Sequence, residues 1–289
     1  MYGYGYSPYF INTFLGARGG AGGYLVDTYS PTAAYSLRKL SSSATNAIRV
    51  RRSSDNAEQD IGFSGNDLDT ASLSSFVSSD SAYIVTWYDQ AGSFNLTQST
   101  AANQPRIVNA GTIETKNSLP TAYFDGSNDR LISSVTVIGS SLSTSYFSVS
   151  APFATETVGT VHSHSTASTN CLRTYCDSRT ATYRNMGIGV SGTQFYIDLS
   201  APRVDTNQRV LSSFVDASKN MSGFDNGATG GTNTYTGTST SASLFQLGSI
   251  STGTSFLNGY IQEFIAFNTD ETANRTDIEA NINSYYSIY

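Results

Sequence analysis

The chain has 289 residues, of which 13% are charged, and its formal net charge at neutral pH is −6. This balance excludes a nucleic-acid partner bound through its phosphates, because such binding needs an excess of Lys and Arg. Hydrophobic residues make up 38% of the chain, enough for a sizeable core. No run of about 18 apolar residues occurs, so we expect no membrane span. The first 25 residues also lack the basic start and continuous apolar segment of a secretory signal.

The first 23 residues differ in composition from the rest of the chain. Tyr and Gly alternate at the start, a short apolar patch follows, and a Gly-rich run ends the segment. Glycine at this density prevents independent folding, whereas exposed aromatic side chains favour burial against another chain. We therefore predict an anchoring arm over residues 1–23, tethered to one domain over residues 24–289; a disordered or folded-back terminus is the alternative. The arm residues expected to bind a partner are Tyr2, Tyr4, Tyr6, Tyr9, Phe10, Phe14 and Leu15.

From Tyr24 onward the sequence predicts strands. Residues 34–38 and 48–51 alternate apolar and polar side chains with a period of two, so each segment has one apolar face. Arg49 and Arg51 share the polar face of the second segment. Acidic residues follow closely, which predicts cross-strand ion pairs in preference to a catalytic role. These acidic residues are Asp55, Glu58 and Asp60.

A short helix and the strongest strand come next. Residues 69–77 have apolar side chains at helical spacing, with Asp69 or Thr70 as the N-cap. The strand over residues 83–88 contains the only tryptophan, Trp87, which we expect in the core because it buries so much apolar area. Asp89 follows this strand and is expected to organise a turn through backbone hydrogen bonds.

Short strands separated by polar turns continue to the end of the chain, with no helix between them, which predicts an antiparallel sandwich. Asp125-Gly126 is typical of a hairpin turn, and residues 227–243 predict a long surface loop. At Asp270 an N-cap residue and an acidic first turn predict a C-terminal helix over residues 271–284. The later predicted strands are Tyr146–Val149, Gly159–His162, Met186–Val190, Gln194–Asp198, Gln208–Val215, Phe245–Leu247 and Tyr260–Phe267.

One group of residues suggests metal chemistry. His162 and His164 form an H-x-H pair, whose side chains would face the same way on a strand. Cys171, Cys176 and Asp177 follow, but their spacing matches no standard zinc module. Without a secretion signal, we expect the two cysteines to be reduced thiols, with a local disulfide as the alternative.

Four segments carry a resemblance to known proteins: AYSLRKL, AIRVRRSSDNAEQDIGF, TWYDQAG and TAANQPRIV. They resemble the catalytic domain of α-L-arabinofuranosidase B, a concanavalin A-like β-sandwich. They look closer still to the non-enzymatic laminin-G-like domains of tailed-bacteriophage structural proteins, in which LDTASL and NQPRIV recur. Residues 258–289 also resemble the C-terminal end of those domains, where a last strand is followed by a helix. The resemblance implies an all-β, concanavalin A-like jelly-roll sandwich. Such sandwiches often hold calcium with loop carboxylates, for which Asp125 and Asp129 are the candidates, and we expect no other cofactor.

In the hydrolases the resemblance would also imply a retaining mechanism, with two carboxylates about 5–5.5 Å apart. The nucleophile would be a Glu on a mid-chain strand after a vicinal cysteine pair, and the acid/base an Asp in the turn before the last strand. Here residues 158–190 contain no Glu, and residues 247–259 contain no acidic residue. The comparison with the hydrolases therefore predicts a protein that is not an enzyme.

These observations predict a non-enzymatic structural protein of a tailed-bacteriophage virion: a capsid decoration, head fibre, neck or tail appendage. The arm would bind other virion proteins, the chain would be present as a homo-oligomer or in many copies, and the sandwich would bind host-surface glycans weakly. One alternative is a glycoside hydrolase of arabinofuranosidase type that uses a displaced pair such as Glu156 and Asp198. The other alternative is a free carbohydrate-binding lectin.

Overall fold

The computed structural model of the chain describes residues 23–133, 143–153, 158–167, 170–177, 183–190, 193–202, 206–236, 244–250 and 253–289. The helices are α1 (Leu25–Tyr29), α2 (Thr70–Val77) and α3 (Arg275–Tyr286), and short 3₁₀ turns cover Ala101–Asn103 and Thr272–Asn274. The first strands are β1 (Ala33–Ser36), β2 (Asn46–Arg52), β3 (Glu58–Ser64), β4 (Asp67–Leu68), β5 (Ala82–Trp87), β6 (Leu96–Thr97), β7 (Arg106–Asn109), β8 (Thr112–Ile113), β9 (Thr115–Lys116), β10 (Leu119–Pro120), β11 (Ala122–Asp125) and β12 (Leu131–Ser133). The later strands are β13 (Thr144–Pro152), β14 (Val158–Ala167), β15 (Asn170–Asp177), β16 (Tyr183–Val190), β17 (Thr193–Pro202), β18 (Arg209–Val215), β19 (Asn220–Asp225), β20 (Ala228–Thr234), β21 (Phe245–Leu247) and β22 (Asn258–Phe267).

The strands pair antiparallel into two facing layers. In the first layer β22 is central: it pairs with β1 and β11 along one edge and with β13 along the other, and β18, β19 and β20 continue beyond β13. The second layer has the order β3-β2-β5-β6-β12-β21-β14-β15-β16-β17. Strand β7 pairs with both β5 and β11 and so joins the two layers. The all-β sandwich predicted from the sequence is confirmed.

The main core fills the space between the layers. Tyr35 of β1 stacks on Phe245 of β21 with ring centroids 5.9 Å apart, and Phe245 lies 5.1 Å from Phe264 of β22. Trp87 is fully buried in the same cluster, as the sequence predicts. Large aromatic side chains from both layers therefore provide much of the apolar burial that stabilises the sandwich.

Helix α3 covers part of the outer face of the first layer. Its buried residues Ile278 and Ile282 pack in one apolar cluster with Phe147 of β13 and Ile265 of β22. The neighbours of Ile265 along β22 point the other way, because side chains alternate across a strand, and Phe264 lies in the main core. The first layer is thus buried on both faces where α3 crosses it.

A buried ion pair ties β1, β22 and α3 together. The Arg38 guanidinium donates from Nε to Glu263 Oε2 at 2.7 Å and from Nη2 to Oε1 at 2.9 Å, and the two side chains are only 6% and 1% exposed. The Ser36 hydroxyl donates to Glu263 Oε2 at 2.7 Å, and the Tyr286 hydroxyl donates to the same oxygen at 3.2 Å. Asn281 of α3 accepts a further hydrogen bond from Arg38 at 3.0 Å. Both buried charges are therefore hydrogen-bonded as well as paired.

Both predicted helices are present, but the C-terminal helix begins and ends later in the chain than predicted. Asp69 caps α2 by accepting a hydrogen bond from Ser72 N at 2.9 Å, as predicted. Helix α3 begins at Arg275 and not at residue 271, because Asp270 closes a local turn by accepting from Thr272 N at 3.0 Å and a 3₁₀ turn follows. The prediction of a strand from Tyr24 is wrong, since Leu25–Tyr29 forms α1.

Two predictions about turns are also wrong. Gly126 has the positive φ (+79°) expected after Asp125, but the strands on either side, β11 and β12, pair within different layers. The connection therefore passes from one layer to the other and is not a hairpin. Residues 228–234, predicted as part of a loop over 227–243, form β20 along β19; residues 237–243 lie outside the described part. Strands β15 and β19 were not predicted.

Two of the local polar predictions in the first hundred residues are confirmed. Arg49 Nε lies 3.0 Å from Asp60 Oδ1 across the β2–β3 pair. Asp55 pairs instead with Arg52, three residues earlier in the chain, at 2.6 Å. The Asp89 carboxylate accepts hydrogen bonds from three backbone N–H groups, which fixes the turn after β5. Within the residues that the structure describes, no helix is long and apolar enough to cross a membrane.

The buried ion pair gives a testable prediction about stability. Arg38→Met leaves Glu263 buried and without its cation, so we expect the free energy of unfolding to fall by about 3–5 kcal/mol. The double variant Arg38→Met/Glu263→Leu should recover most of that loss, because no unpaired charge remains. Urea unfolding measures both changes.

The matched control is Arg49→Met, which breaks an ion pair whose partners are 42% and 36% exposed. Solvent screens such a pair, so we expect a loss below about 1 kcal/mol. Equal losses in Arg38→Met and in the double variant would show that the buried charge is not the cause.

Candidate functional site

A row of five outward-facing side chains crosses five adjacent strands, and we call it the outer row. Each member lies directly opposite the next in the strand register, and every one is half-buried. Their neighbours along the strands, such as Val50, Ile84 and Phe124, lie in the core, so strand alternation directs the row outward. From β2 to β22 the members are Arg51, Tyr83, Arg106, Tyr123 and Tyr260.

The members of the outer row contact one another through their rings and cations. The Arg51 guanidinium lies 5.1 Å from the Tyr83 ring centroid, and Arg106 lies 4.7 Å from that of Tyr123. Tyr123 and Tyr260 pack at 5.6 Å with tilted rings. These distances are in the range of cation–π and aromatic pairs, which hold the side chains in fixed positions.

Both arginines also make hydrogen bonds to polar side chains outside the row. The Arg106 guanidinium donates from Nε to Glu114 Oε1 at 2.8 Å, and its Nη2 lies 2.7 Å from the same oxygen. Arg51 donates to the uncharged oxygens of Gln104, at 2.8 Å, and Asn56, at 2.9 Å. The sequence predicts Arg51 in a cross-strand ion pair; its guanidinium instead lies beside the aromatic ring of Tyr83.

A groove of about 490 Å³ lies along four members of the outer row. The 3₁₀ turn Ala101–Asn103 contributes two alanines to its lining, the end of β11 contributes Asp125, and the loop after β11 contributes Asp129. Tyrosine rings offer apolar bodies with polar tips, guanidinium groups offer several donors, and carboxylates accept hydrogen bonds. This combination suits a ligand that carries many hydroxyl groups and some apolar C–H surface.

The two carboxylates of the groove differ in environment. Asp125 Oδ1 accepts a hydrogen bond from Ser127 N at 2.8 Å, and Asp129 Oδ2 accepts from Asp125 N at 3.0 Å. Burial raises the pKa of Asp129 to about 7, and the nearby charge of Asp125 adds to the shift. Asp129 is therefore partly protonated at neutral pH.

The same two residues are the calcium candidates of the sequence. Each carboxylate already accepts an N–H group of its own loop, and the described residues contain no cluster of three or more Asp, Glu, His or Cys side chains able to hold a metal. Calcium takes about six to eight oxygen ligands, of which these two carboxylates could supply only a part, and the calcium site stays a prediction.

The H-x-H pair is part of the core. The rings of His162 and His164 lie 4.6 and 6.1 Å from the Tyr146 ring, and both side chains are at least 97% buried. None of their four ring nitrogens has a hydrogen-bond partner in the structure. Burial lowers the pKa of both histidines, that of His164 to about 3, so both rings are neutral at pH 7. They pack as aromatic groups between Tyr146, Phe245 and Phe264.

Several residues singled out in the sequence lie outside the described part. Glu156 of the displaced carboxylate pair is one of them, whereas its partner Asp198 is exposed on β17. The backbones of Cys171 and Cys176 belong to β15, but their side chains are not described. The arm residues, also outside it, are Tyr2, Tyr4, Tyr6, Tyr9, Phe10, Phe14 and Leu15.

Comparison with known proteins supports the fold. No protein-family profile and no curated protein sequence matches the chain. A mutant GH54 α-L-arabinofuranosidase soaked with 4-nitrophenyl α-L-arabinofuranoside superposes with a TM-score of 0.67 at 15% identity, covering 90% of this chain and 63% of that one. A GH54 α-L-arabinofuranosidase soaked with a cyclic sulfate inhibitor gives a TM-score of 0.65 at 15% identity, with the same coverage.

A third similar structure is an arabinofuranosidase complexed with arabinofuranosyl-α-1,2-xylobiose. Its TM-score is 0.63 at 14% identity, covering 91% of this chain and 64% of that one. The chain thus spans less than two thirds of the length of these enzymes. At such low identity the likeness shows a shared fold, and it confirms the link to the arabinofuranosidase sandwich that the sequence predicts.

The buried histidines predict acid instability. Their pKa is lower in the folded chain than the ordinary value of about 6.5, so below pH 6.5 the unfolded chain binds protons that the folded chain does not. The contribution of His164 is complete above pH 6.5 and is lost at about 1.4 kcal/mol per pH unit, or about 2 kcal/mol by pH 5, and the contribution of His162 has the same sign. Urea unfolding from pH 7 to pH 5 measures this slope.

His164→Leu should remove the His164 contribution, so its stability should fall between pH 7 and pH 5 by about 2 kcal/mol less than that of the parent chain. The difference between the two proteins isolates the imidazole, because Asp129 titrates in both. Identical slopes would contradict the neutral, buried state of His164.

Proposed function

We propose that the chain is a non-enzymatic structural protein of a bacteriophage particle, which binds surface glycans in the groove along the outer row. The groove is the observation that carries the glycan part of the proposal. Its tyrosines, guanidinium groups and carboxylates are fixed by mutual contacts before any ligand arrives, and such preorganisation lowers the entropic cost of binding.

The particle part of the proposal is supported by the composition of residues 1–23 and by the resemblance to phage laminin-G-like domains. The aromatic and aliphatic side chains of this glycine-rich segment are costly to leave in water, and a partner surface would bury them. The sandwich would then be displayed away from the site of attachment.

A second candidate function, glycoside hydrolysis, is favoured by one observation. Asp129, with its pKa raised to about 7, lies in the same groove as Asp125. A protonated carboxyl group near an ionised one is the pairing that glycosidases use. Against this candidate, both carboxylates accept hydrogen bonds from their own loop, and the acids expected from the enzyme family are missing from the sequence.

Binding and hydrolysis can be measured on the full chain. We expect binding on an array of bacterial surface and plant glycans, weakened at least tenfold by Arg51→Ala or Tyr83→Ala because each removes half of a fixed cation–π pair. Tyr196→Ala, which removes an exposed tyrosine on β17, is the matched control and should bind normally.

In the same preparation we expect no release of 4-nitrophenol from 4-nitrophenyl α-L-arabinofuranoside. Release that disappears in Asp129→Asn would establish hydrolysis and overturn the non-enzymatic proposal. A parent chain that binds no glycan would overturn the glycan part.

Attachment to particles depends on the arm in our proposal. Replacing Tyr2, Tyr4, Tyr6 and Tyr9 by Ser in the full chain should leave the thermal unfolding of the sandwich unchanged and remove the chain from purified particles, as measured by mass spectrometry. The matched variant with Phe at the four positions keeps the aromatic surface and should be incorporated. Incorporation of the Ser variant at the parent level would contradict the role of the arm.

A further inference from the structure

The outer row extends beyond the groove. The groove ends at Tyr123, but the next strand adds Tyr260, and Phe153 at the end of β13 packs against both tyrosines. Phe153 and Tyr260 meet edge to face with centroids 5.2 Å apart. A half-buried aromatic cluster thus continues the line of the groove on the outer face.

The backbone holds this cluster in place. Gly259 has φ +155°, and a Cβ atom there would lie 2.6 Å from Pro152 Cα and 2.7 Å from Ala151 O. Only glycine permits so close an approach of β13 and β22. Phe153 N then donates to Asn258 O at 2.8 Å, which places the Phe153 side chain beside Tyr260.

The length of the row limits what can fill it. Because its members are directly opposite in register, the row runs across the strands, and strands are spaced about 4.8 Å apart. Four spacings give a path of about 19 Å along the sheet as it turns through β7 from the second layer into the first, with Tyr83 and Tyr123 about 10 Å apart along this path. A single sugar ring contacts at most two neighbouring members, so it would leave most of the row unused.

The charges along the row are balanced. Arg106 is paired with Glu114, and the positive charge of Arg51 faces a groove that also contains the carboxylates of Asp125 and Asp129. These carboxylates would repel a strongly anionic polymer. The hydroxyl groups of a neutral polymer can instead donate hydrogen bonds to the carboxylates and accept them from the guanidinium groups and phenols.

We infer that the outer row binds a neutral, linear polysaccharide that lies across the strands from Arg51 to Tyr260 and engages about four consecutive sugars. This inference rests on the glycan binding proposed above and specifies its substrate class. The groove segment binds one end of the oligosaccharide, and the aromatic cluster of Tyr123, Phe153 and Tyr260 binds the other.

The experiment is a chain-length series on the full protein. The neutral probes are linear cello-, xylo-, chito- and manno-oligosaccharides of one to six sugars. Oligogalacturonides of the same lengths are the anionic probes. For at least one neutral series we expect affinity to rise tenfold or more between two and four sugars and then to level off. Tyr260→Ala should weaken binding of the tetrasaccharide at least tenfold and leave the disaccharide unchanged, whereas Tyr83→Ala should weaken both.

The control is Tyr289→Ala, which removes a tyrosine that is 51% exposed and not in the row. Equal affinity for one and six sugars, an unchanged tetrasaccharide affinity in Tyr260→Ala, or a preference for oligogalacturonides would overturn the inference and leave glycan binding standing. Binding of none of these probes would overturn the inference, and binding of no glycan on the broader array would overturn the proposed function itself.

Discussion

The buried ion pair between Arg38 and Glu263 determines where the last strand and the last helix lie. Two charges inside the protein are tolerated only when each finds an opposite charge and further hydrogen bonds. Here β22 supplies Glu263, and the further hydrogen bonds come from Ser36 of β1 and from Asn281 and Tyr286 of α3. Displacement of β22 from β1 would separate the two charges, and displacement of α3 would remove two of their hydrogen bonds. The pair therefore fixes β22 beside β1 and α3 above them.

This placement also determines which surface stays open. Helix α3 packs over the part of the first layer formed by β1, β22, β13 and β18, where the outer cluster includes Phe147, Val210 and Ile265. The outer row lies on β2, β5, β7 and β11 and reaches β22 only at Tyr260, away from the helix. The outside of the sandwich is thus covered by a helix over part of the first layer, and it offers half-buried rings and cations to solvent along the outer row.

Local sequence signals predicted local structure well, but they predicted poorly which strands pair with one another. Trp87, Asp69 and Asp89 were placed correctly because burial, capping and turn formation depend on a few adjacent residues. Asp125-Gly126 has the correct turn chemistry, but which strands pair on either side depends on contacts with β21 and β22, more than a hundred residues away. Strand β20 escaped prediction because its Gly- and Thr-rich sequence has no apolar alternation and is held by pairing with β19.

The candidate site was harder to predict for the same reason. Its members are scattered between residues 51 and 260, and only the register of five strands brings them into one line. A tyrosine or arginine at a polar position of a strand is common, so no single member is informative by itself. Asp125 and Asp129 are candidate calcium ligands in the sequence, and the structure places both in the lining of the groove.

The central position of β22 has a consequence for how the chain acquires its structure. Ala33 is paired with Ala266, and β11 and β13 also depend on β22 for a neighbour. Closing loops of this length before any contact is gained slows folding, because chain entropy is lost first. Until residues 258–267 arrive, β1, β11 and β13 have exposed edges that other chains can pair with. During synthesis the first layer therefore stays incomplete until β22 has been made, and the unpaired strand edges of this nascent form favour aggregation.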